Sequence, residues 1–225
     1  MPASCFFVVG GTSGIGLETA HELRRRGDHV MVGGRGLANR RDDANFIPVD
    51  VTEEVSVRLA AQSVSTLCEG RLNGLVYSVG MARPPVPIEA FDPLAFEMVH
   101  RTNVIGALLV LKYLFPSLRA ARGRVVIVNS VSAHIGSRLS GIDYTMSKAA
   151  LSGMVRQLAL QWAPDGVLIN SVFPGMTRTP MLLKKAVSPR LNHGSRLAGW
   201  LFRRRSREPS VFCCRRVIHT SPGVE

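Results

Sequence analysis

Tyr144 and Lys148 stand four residues apart in a stretch with helical spacing, which puts both side chains on one helix face. Unperturbed, a tyrosine titrates near ~10 and a lysine near ~10.4. An ammonium beside a phenol stabilises the phenolate, so the expectation is a lowered tyrosine pKa and proton transfer near neutral pH. The stretch follows an apolar run that ends in Asn129, Ser130 and Ser132, short polar side chains suited to orienting a carbonyl or hydroxyl oxygen. Taken alone, the pair fits a surface lysine one turn from a half-buried tyrosine equally well. A second chemical feature in the right order separates the two readings.

That feature lies near the N-terminus. Val8-Val9-Gly10-Gly11-Thr12-Ser13-Gly14-Ile15-Gly16 joins an apolar run at 5–10 to a helical pattern at 15–26. Gly10 and Gly14 permit a tight turn and close approach of backbone to a pyrophosphate. Gly16 lets helix and strand pack closely, with phosphates at the positive helix N-terminus. Glycine-rich turns also simply connect elements, but strand, loop and helix in this order is the context dinucleotide binding requires.

Two further positions speak to the nucleotide. Asp50-Val51 follows the third apolar run, where a carboxylate either accepts from an adenine amino group or caps the next helix. The second run ends at Gly33-Gly34 with Arg35 next. An acid there would bind the 2′-OH of NAD, whereas a guanidinium pairs bidentately with a 2′-phosphate. NADP is therefore expected before NAD, with reduction as the usual direction. Ser13 and Arg40 or Arg41 add contacts, and the bland alternative is a solvated Arg35.

These groups need a scaffold to bring them together. Strands are predicted at 5–10, 29–32, 46–49, 74–79, 124–129 and 167–172, and helices at 15–26, 94–118 and 143–162. Continuous apolar strands alternating with helices imply a parallel sheet covered on both faces. The fold class expected is α/β: a single-domain, doubly wound, Rossmann-type sheet with its ligand at the carboxyl ends of the strands.

With loop, serine and Tyr–Lys pair in order, residues 6–180 resemble the short-chain dehydrogenase/reductase family. Gly10, Gly14 and Gly16 correspond to its cofactor loop, Asp50-Val51 to its adenine contact and Asn103 to its helix asparagine. Ser132 corresponds to the catalytic serine, Tyr144 and Lys148 to the YxxxK pair, and Pro174-Gly175 to the turn after the sixth strand. The resemblance adds cofactor contacts from Thr12, Ser13, Ile15, Arg35, Gly80, Pro174, Gly175 and Thr177, and from Asn103, Tyr144 and Lys148 themselves. It implies hydride transfer between a nicotinamide and a carbonyl or secondary alcohol, with Tyr144 as general acid/base. Lys148 lowers its pKa and holds the ribose, Ser132 positions the carbonyl, and Asn103 holds a water that links Lys148 to solvent. It also implies a homodimer or homotetramer built on the 94–118 and 143–162 helices. Four departures are internal. Val9 stands for a threonine and Tyr77-Ser78 for two asparagines, which predicts a looser wall. Ser132 and Tyr144 are 12 apart, one fewer than usual, and 15 positions separate Arg35 from Asp50, which predicts a shortened helix.

Composition bounds the rest. The 225 residues carry +12, of which 1–183 hold +4 and 184–225 hold +8. The chain divides at about 191, with a basic tail at 192–225 whose expected acidic helix and last strand are absent. That tail reads as a disordered arm, a nucleic-acid or membrane contact, or an out-of-frame translation, the last favoured. Nucleic acid is not expected as a partner, since aromatics are sparse among the arginines. No apolar leader and no uninterrupted apolar run of ~18 residues is seen, so a cytoplasmic chain without a membrane span is expected. Cys5, Cys68, Cys213 and Cys214 are too few and scattered for a disulfide framework and lack metal-ligand spacing. Against the oxidoreductase stand two other readings: a catalytically silent cofactor binder, and nucleic-acid binding through the tail. Met181, Leu182, Leu183 and Val86 suggest an apolar substrate or core closure.

Overall fold

The structure, a computed structural model, describes residues 4–36, 45–177, 179 and 180. Elements alternate as the apolar pattern predicts. They are β1 (Cys5–Val9), α1 (Gly14–Arg25), β2 (His29–Gly34), β3 (Phe46–Pro48), α2 (Glu54–Leu67) and β4 (Gly74–Tyr77), then α3 (Pro93–His100), α4 (Gly106–Ala121), β5 (Arg124–Val128), α5 (Ile142–Trp162) and β6 (Leu168–Val172). The strands pair in parallel in the order β3-β2-β1-β4-β5-β6. The connections reverse direction between β1 and β4, the position where a doubly wound sheet opens a crevice.

Side chains of a strand alternate between faces, and the core divides accordingly. Phe7, Val9, Met31, Leu75, Tyr77, Val125 and Ile127 point to one face, where they pack against α2, α4 and α5. Val8, Val30, Val32, Val76 and Val128 point to the other, where Ala20 of α1 meets them. Both faces of the central strands β1, β2 and β4 are covered, which explains why these strands read as unbroken apolar runs rather than alternating ones.

Three expectations change. The helix predicted at 94–118 is α3 and α4 joined by a π-helical turn, Arg101–Ile105. Asp92 fixes its start, accepting from the N–H groups of Leu94 and Ala95 ahead of Pro93. This run, Pro93–Ala121, is long and apolar enough by length and composition to cross a membrane, with a mean hydropathy of 1.5 over an 18-residue window. Here Ala107, Val110, Leu111, Leu114 and Leu118 pack into the larger core. Second, Glu53 holds the N-cap position of α2, without a side-chain capping bond, so Asp50 is not its N-cap. Third, Cys5 and Cys68 form a disulfide with 5.9 Å between their Cα atoms, although 63 positions separate them. Both lie at the amino edge of the sheet, which spacing along the chain does not reveal. Residues 37–44 of the Arg35–Asp50 connection, Arg40 and Arg41 among them, and the segment past 180 fall outside the described residues.

Candidate active site

The carboxyl ends of β1, β2, β4 and β5 share one edge, set by the register Val9↔Gly33, Val9↔Tyr77 and Tyr77↔Ile127. The glycine loop leaves β1 at this edge. Gly10, at φ 78, donates to Gly33 O over 2.9 Å, and a Cβ on it would stand 2.8 Å from the Ser78 carbonyl. A Cβ on Gly16 would drive into Gly10 O, so only glycine lets α1 seat this close. Ser13 is the N-cap of α1 without a side-chain cap, and its first turn holds no acid. The first N–H groups of α1 and its positive end are thus left for an anion. The methyl of Thr12 packs over Gly34, while Ile15 packs into the smaller core. Thr179, past β6, reaches back so that its Cγ2 would lie 3.2 Å from a Cβ on Gly14. This is a cradle that side chains would fill, and it fits a dinucleotide pyrophosphate.

The nucleoside end is formed by β2 and β3. Arg35 follows β2 directly and is exposed. Asp50 Oδ1 accepts from Thr52 N–H over 3.0 Å and Thr52 Oγ1 over 2.7 Å. Burial acts to raise its pKa, but these bonds and the charge of Arg35 outweigh it, so the carboxyl is held below its usual value. The Val51 side chain is buried in the larger core, which leaves its main chain for the ligand. Gly80 is part-buried just past the end of β4.

The catalytic candidates meet on the other side of the crevice. Asn103 lies fully buried within the π turn. Its Oδ1 accepts from Met81 N–H over 2.6 Å, and its Nδ2 donates to Met81 O and to Ser147 Oγ, each over 2.9 Å. Ser147 Oγ donates onward to Tyr144 O over 2.7 Å. Tyr77 donates from its hydroxyl to Thr102 O over 2.9 Å. The wall expected to loosen when asparagines gave way to Tyr77-Ser78 is instead pinned through a buried phenol. Asp143 accepts from Tyr144 N–H over 2.7 Å at the start of α5.

Lys148 is buried and donates from Nζ to Val128 O over 2.9 Å, with Nζ 5.7 Å from the Tyr144 ring centre. Burial pulls its amine down to about 8. Burial raises the Tyr144 phenol above its ordinary value, opposed by a hydrogen bond with the Ser130 side chain. The expected lowering of Tyr144 by Lys148 is therefore reversed: desolvation decides its direction. Ser130 Oγ also accepts from Ser132 N–H over 3.1 Å, while Ser132 Oγ lies 3.0 Å from Ser140 Oγ. Tyr144 thus pairs with Ser130, and Ser132 with Ser140. Pro174 O accepts from Val131 N–H over 3.1 Å, and Thr177 Oγ1 donates to Gly175 O over 3.2 Å. The turn after β6 therefore braces the serine turn.

Sequence reasoning had no role for Ser147 or Ser140, and read Tyr77 only as the loss of an asparagine. Ser147 could have been found three residues after Tyr144, one helical turn on; Ser140, in a loop, carries no such signal.

Residues 4–188 match the short chain dehydrogenase family. An L-fucose dehydrogenase of Oryctolagus cuniculus is 32% identical over 77% of this chain and 63% of its own length. The chain thus spans under two thirds of that relative. A cis-4-hydroxycyclohexanecarboxylate dehydrogenase of Sinomonas cyclohexanicum is 32% identical over 78% of this chain and 74% of its own. A short chain dehydrogenase from Burkholderia cenocepacia, solved in complex with NADP, superposes with a TM-score of 0.70. It is 26% identical and matched over 80% of this chain and 75% of its own.

Proposed function

We propose, since this chain belongs to the short-chain dehydrogenase family, that it exchanges a hydride between a nicotinamide dinucleotide and a carbonyl or secondary alcohol. The observation that carries this reading is the meeting of Asn103, Ser130, Ser132, Tyr144 and Lys148 across the crevice from the glycine cradle. A bound nicotinamide supplies the hydride. The chain supplies the proton and the orientation. With its phenol raised by burial, Tyr144 is protonated at neutral pH and gives that proton to a carbonyl oxygen during reduction. Ser132 Oγ, already in a hydroxyl pair, offers a second donor to the same oxygen. Lys148, titrating at about 8 beside the ring, is the group from which Tyr144 recovers a proton. The Asn103 network keeps α5 and the π turn in fixed relation while this happens.

For cofactor choice the reading favours NADP. Gly33 and Gly34 end β2 without a carboxylate, and Arg35 follows them. For substrate it favours a hydroxyl, or the derived ketone, on a saturated ring, as in the compounds for which the two relatives are named. Exposed Val86, Ile88 and Phe91 give the rim an apolar surface for such a ring. Assembly belongs to the same proposal: Leu94, Met98, Ile105 and Leu108 are exposed along the 93–121 helical run and offer an apolar face to a second copy.

The test is oxidation of NADPH and NADH, and reduction of NADP and NAD, over a panel of cyclic alcohols and ketones. Tyr144→Phe is expected to lower turnover by about a thousandfold while cofactor binding persists. Turnover that survives this change would overturn the assigned acid.

A further inference from the structure

At the sheet edge opposite the cradle, a second group of reactive side chains is assembled. Cys5 opens β1, Cys68 is the C-cap of α2, and a disulfide joins them. His29 opens β2 in register with Cys5, and its Nδ1 lies 3.7 Å from Cys5 Sγ. Its Nε2 lies 3.0 Å from Asn45 Oδ1. An amide oxygen only accepts, so Nε2 carries the ring proton and Nδ1 turns a lone pair toward the sulfur. Asn73 holds the main chain of Cys5 from both sides: its Oδ1 accepts from Cys5 N–H over 2.8 Å, and its N–H donates to Cys5 O over 2.9 Å. The position of Cys5 is therefore fixed by bonds that do not depend on the disulfide.

We propose that Cys5 and Cys68 are a reversible thiol–disulfide site in which Cys5 is the reactive sulfur and His29 its base. The two cysteines are matched in access, each 7% exposed, so local chemistry separates them. Cys68 ends a helix, where the carbonyl ends oppose a thiolate. Cys5 faces an imidazole that takes a proton, and a thiolate there is favoured. The co-reactant is a small-molecule thiol or its disulfide, of the glutathione class. In reduction its thiolate attacks Cys68 Sγ. The new S–S bond forms there, the Cys5–Cys68 bond breaks, and the electron pair leaves on Cys5, the better leaving group. A second thiol then displaces Cys68 and departs as the small-molecule disulfide. Two thiols are oxidised, one protein disulfide is reduced, and both protein sulfurs end protonated. In the reverse direction the same path runs backward. Cys68 attacks the small disulfide and passes its proton to the thiol released. Cys5, its proton taken by His29 Nδ1, then displaces the second small thiol from Cys68 and that thiol leaves with the proton.

The experiment uses the full chain with Cys213→Ser and Cys214→Ser, so that only this pair reports. Incubation with oxidised glutathione is expected to yield linked peptides carrying Cys5 and Cys68, which dithiothreitol separates. In the reduced protein, brief iodoacetamide treatment is expected to label Cys5 about tenfold faster than Cys68. His29→Asn is expected to abolish that preference. Asn45→Leu, which leaves the imidazole in place but releases its tautomer, is expected to weaken it. The Asn45 variant keeps the test open should the His29 variant fail to fold. Absence of the linked peptides overturns the site. Equal labelling, or a preference unchanged in both variants, overturns the role of His29.

Discussion

Lys148 gives the chain a pH dependence that can be measured without any substrate. Its amine titrates at about 8 in the folded protein against 10.5 when unperturbed. Between those values the unfolded chain holds a proton that the folded one has lost, so stability rises with pH through that window. The gain is roughly 3 kcal/mol at its top. Below about 8 both states are charged and the burial penalty stands in full. Tyr144 opposes this from its ordinary 10.0, inside the top of that window: its raised phenol keeps a proton that the unfolded chain releases, and stability turns down. Denaturant midpoints should therefore climb between pH of about 7.5 and about 9.5, and Lys148→Met should flatten the rise. A flat wild-type curve would show that the amine is solvated. At this scale the sequence revealed who meets whom better than with what effect. The four-residue spacing brought Tyr144 and Lys148 to one face, but the direction of the tyrosine shift depends on burial, which spacing does not encode. Likewise Ser130 and Ser132 were both visible, and only the turn of the backbone between them decides which one faces the phenol.

Among the elements, the π turn at Arg101–Ile105 was the least legible. Its residues continue the apolar periodicity of α3 into α4, and one extra residue per turn leaves no mark in such a pattern. What holds it is tertiary: Tyr77 from β4 takes Thr102 O, and Asn103 turns its amide onto Met81. Tyr77→Phe keeps the packing and orphans a carbonyl, a loss of about 1–3 kcal/mol. The expected result is a lower unfolding midpoint with faster amide exchange at 101–106 than in α5. Turnover should fall while cofactor affinity is kept, because the glycine cradle is not touched. Exchange unchanged at 101–106 would show the turn to be set by other contacts. The strands and α1 were legible because their burial on both faces writes itself as apolar runs. The start of α2 was not, since Asp50 suits a cap by type, yet it turns onto Thr52 and the helix begins after Glu53, which makes no capping bond.

At the scale of the molecule, the alternation of elements foretold the doubly wound sheet, and the strand order agrees with it. The crosslink at the opposite edge was illegible because closeness in the fold is unrelated to the 63 positions between its cysteines. A ligand that binds only the folded chain stabilises it as a whole, by about 2.7 kcal/mol at a hundredfold excess over its Kd. For a chain of this size that is roughly 5–10 °C in Tm. NADPH is expected to reach that shift at concentrations where NADH gives a smaller one, and Arg35→Ala should erase the difference. Equal shifts in the wild type would place the 2′-phosphate away from Arg35. The strand order also bears on how the chain acquires its structure. β1 is synthesised first, yet it lies between β2 and β4, and its second ladder pairs Phe6 with Gly74. Until residue 77 has left the ribosome, one flank of the Phe-Phe-Val-Val segment has no neighbour. Such distant pairing slows folding. The most apolar strand is also the one kept waiting, so the nascent chain's exposure to self-association, and its need for a chaperone, is greatest over its first third.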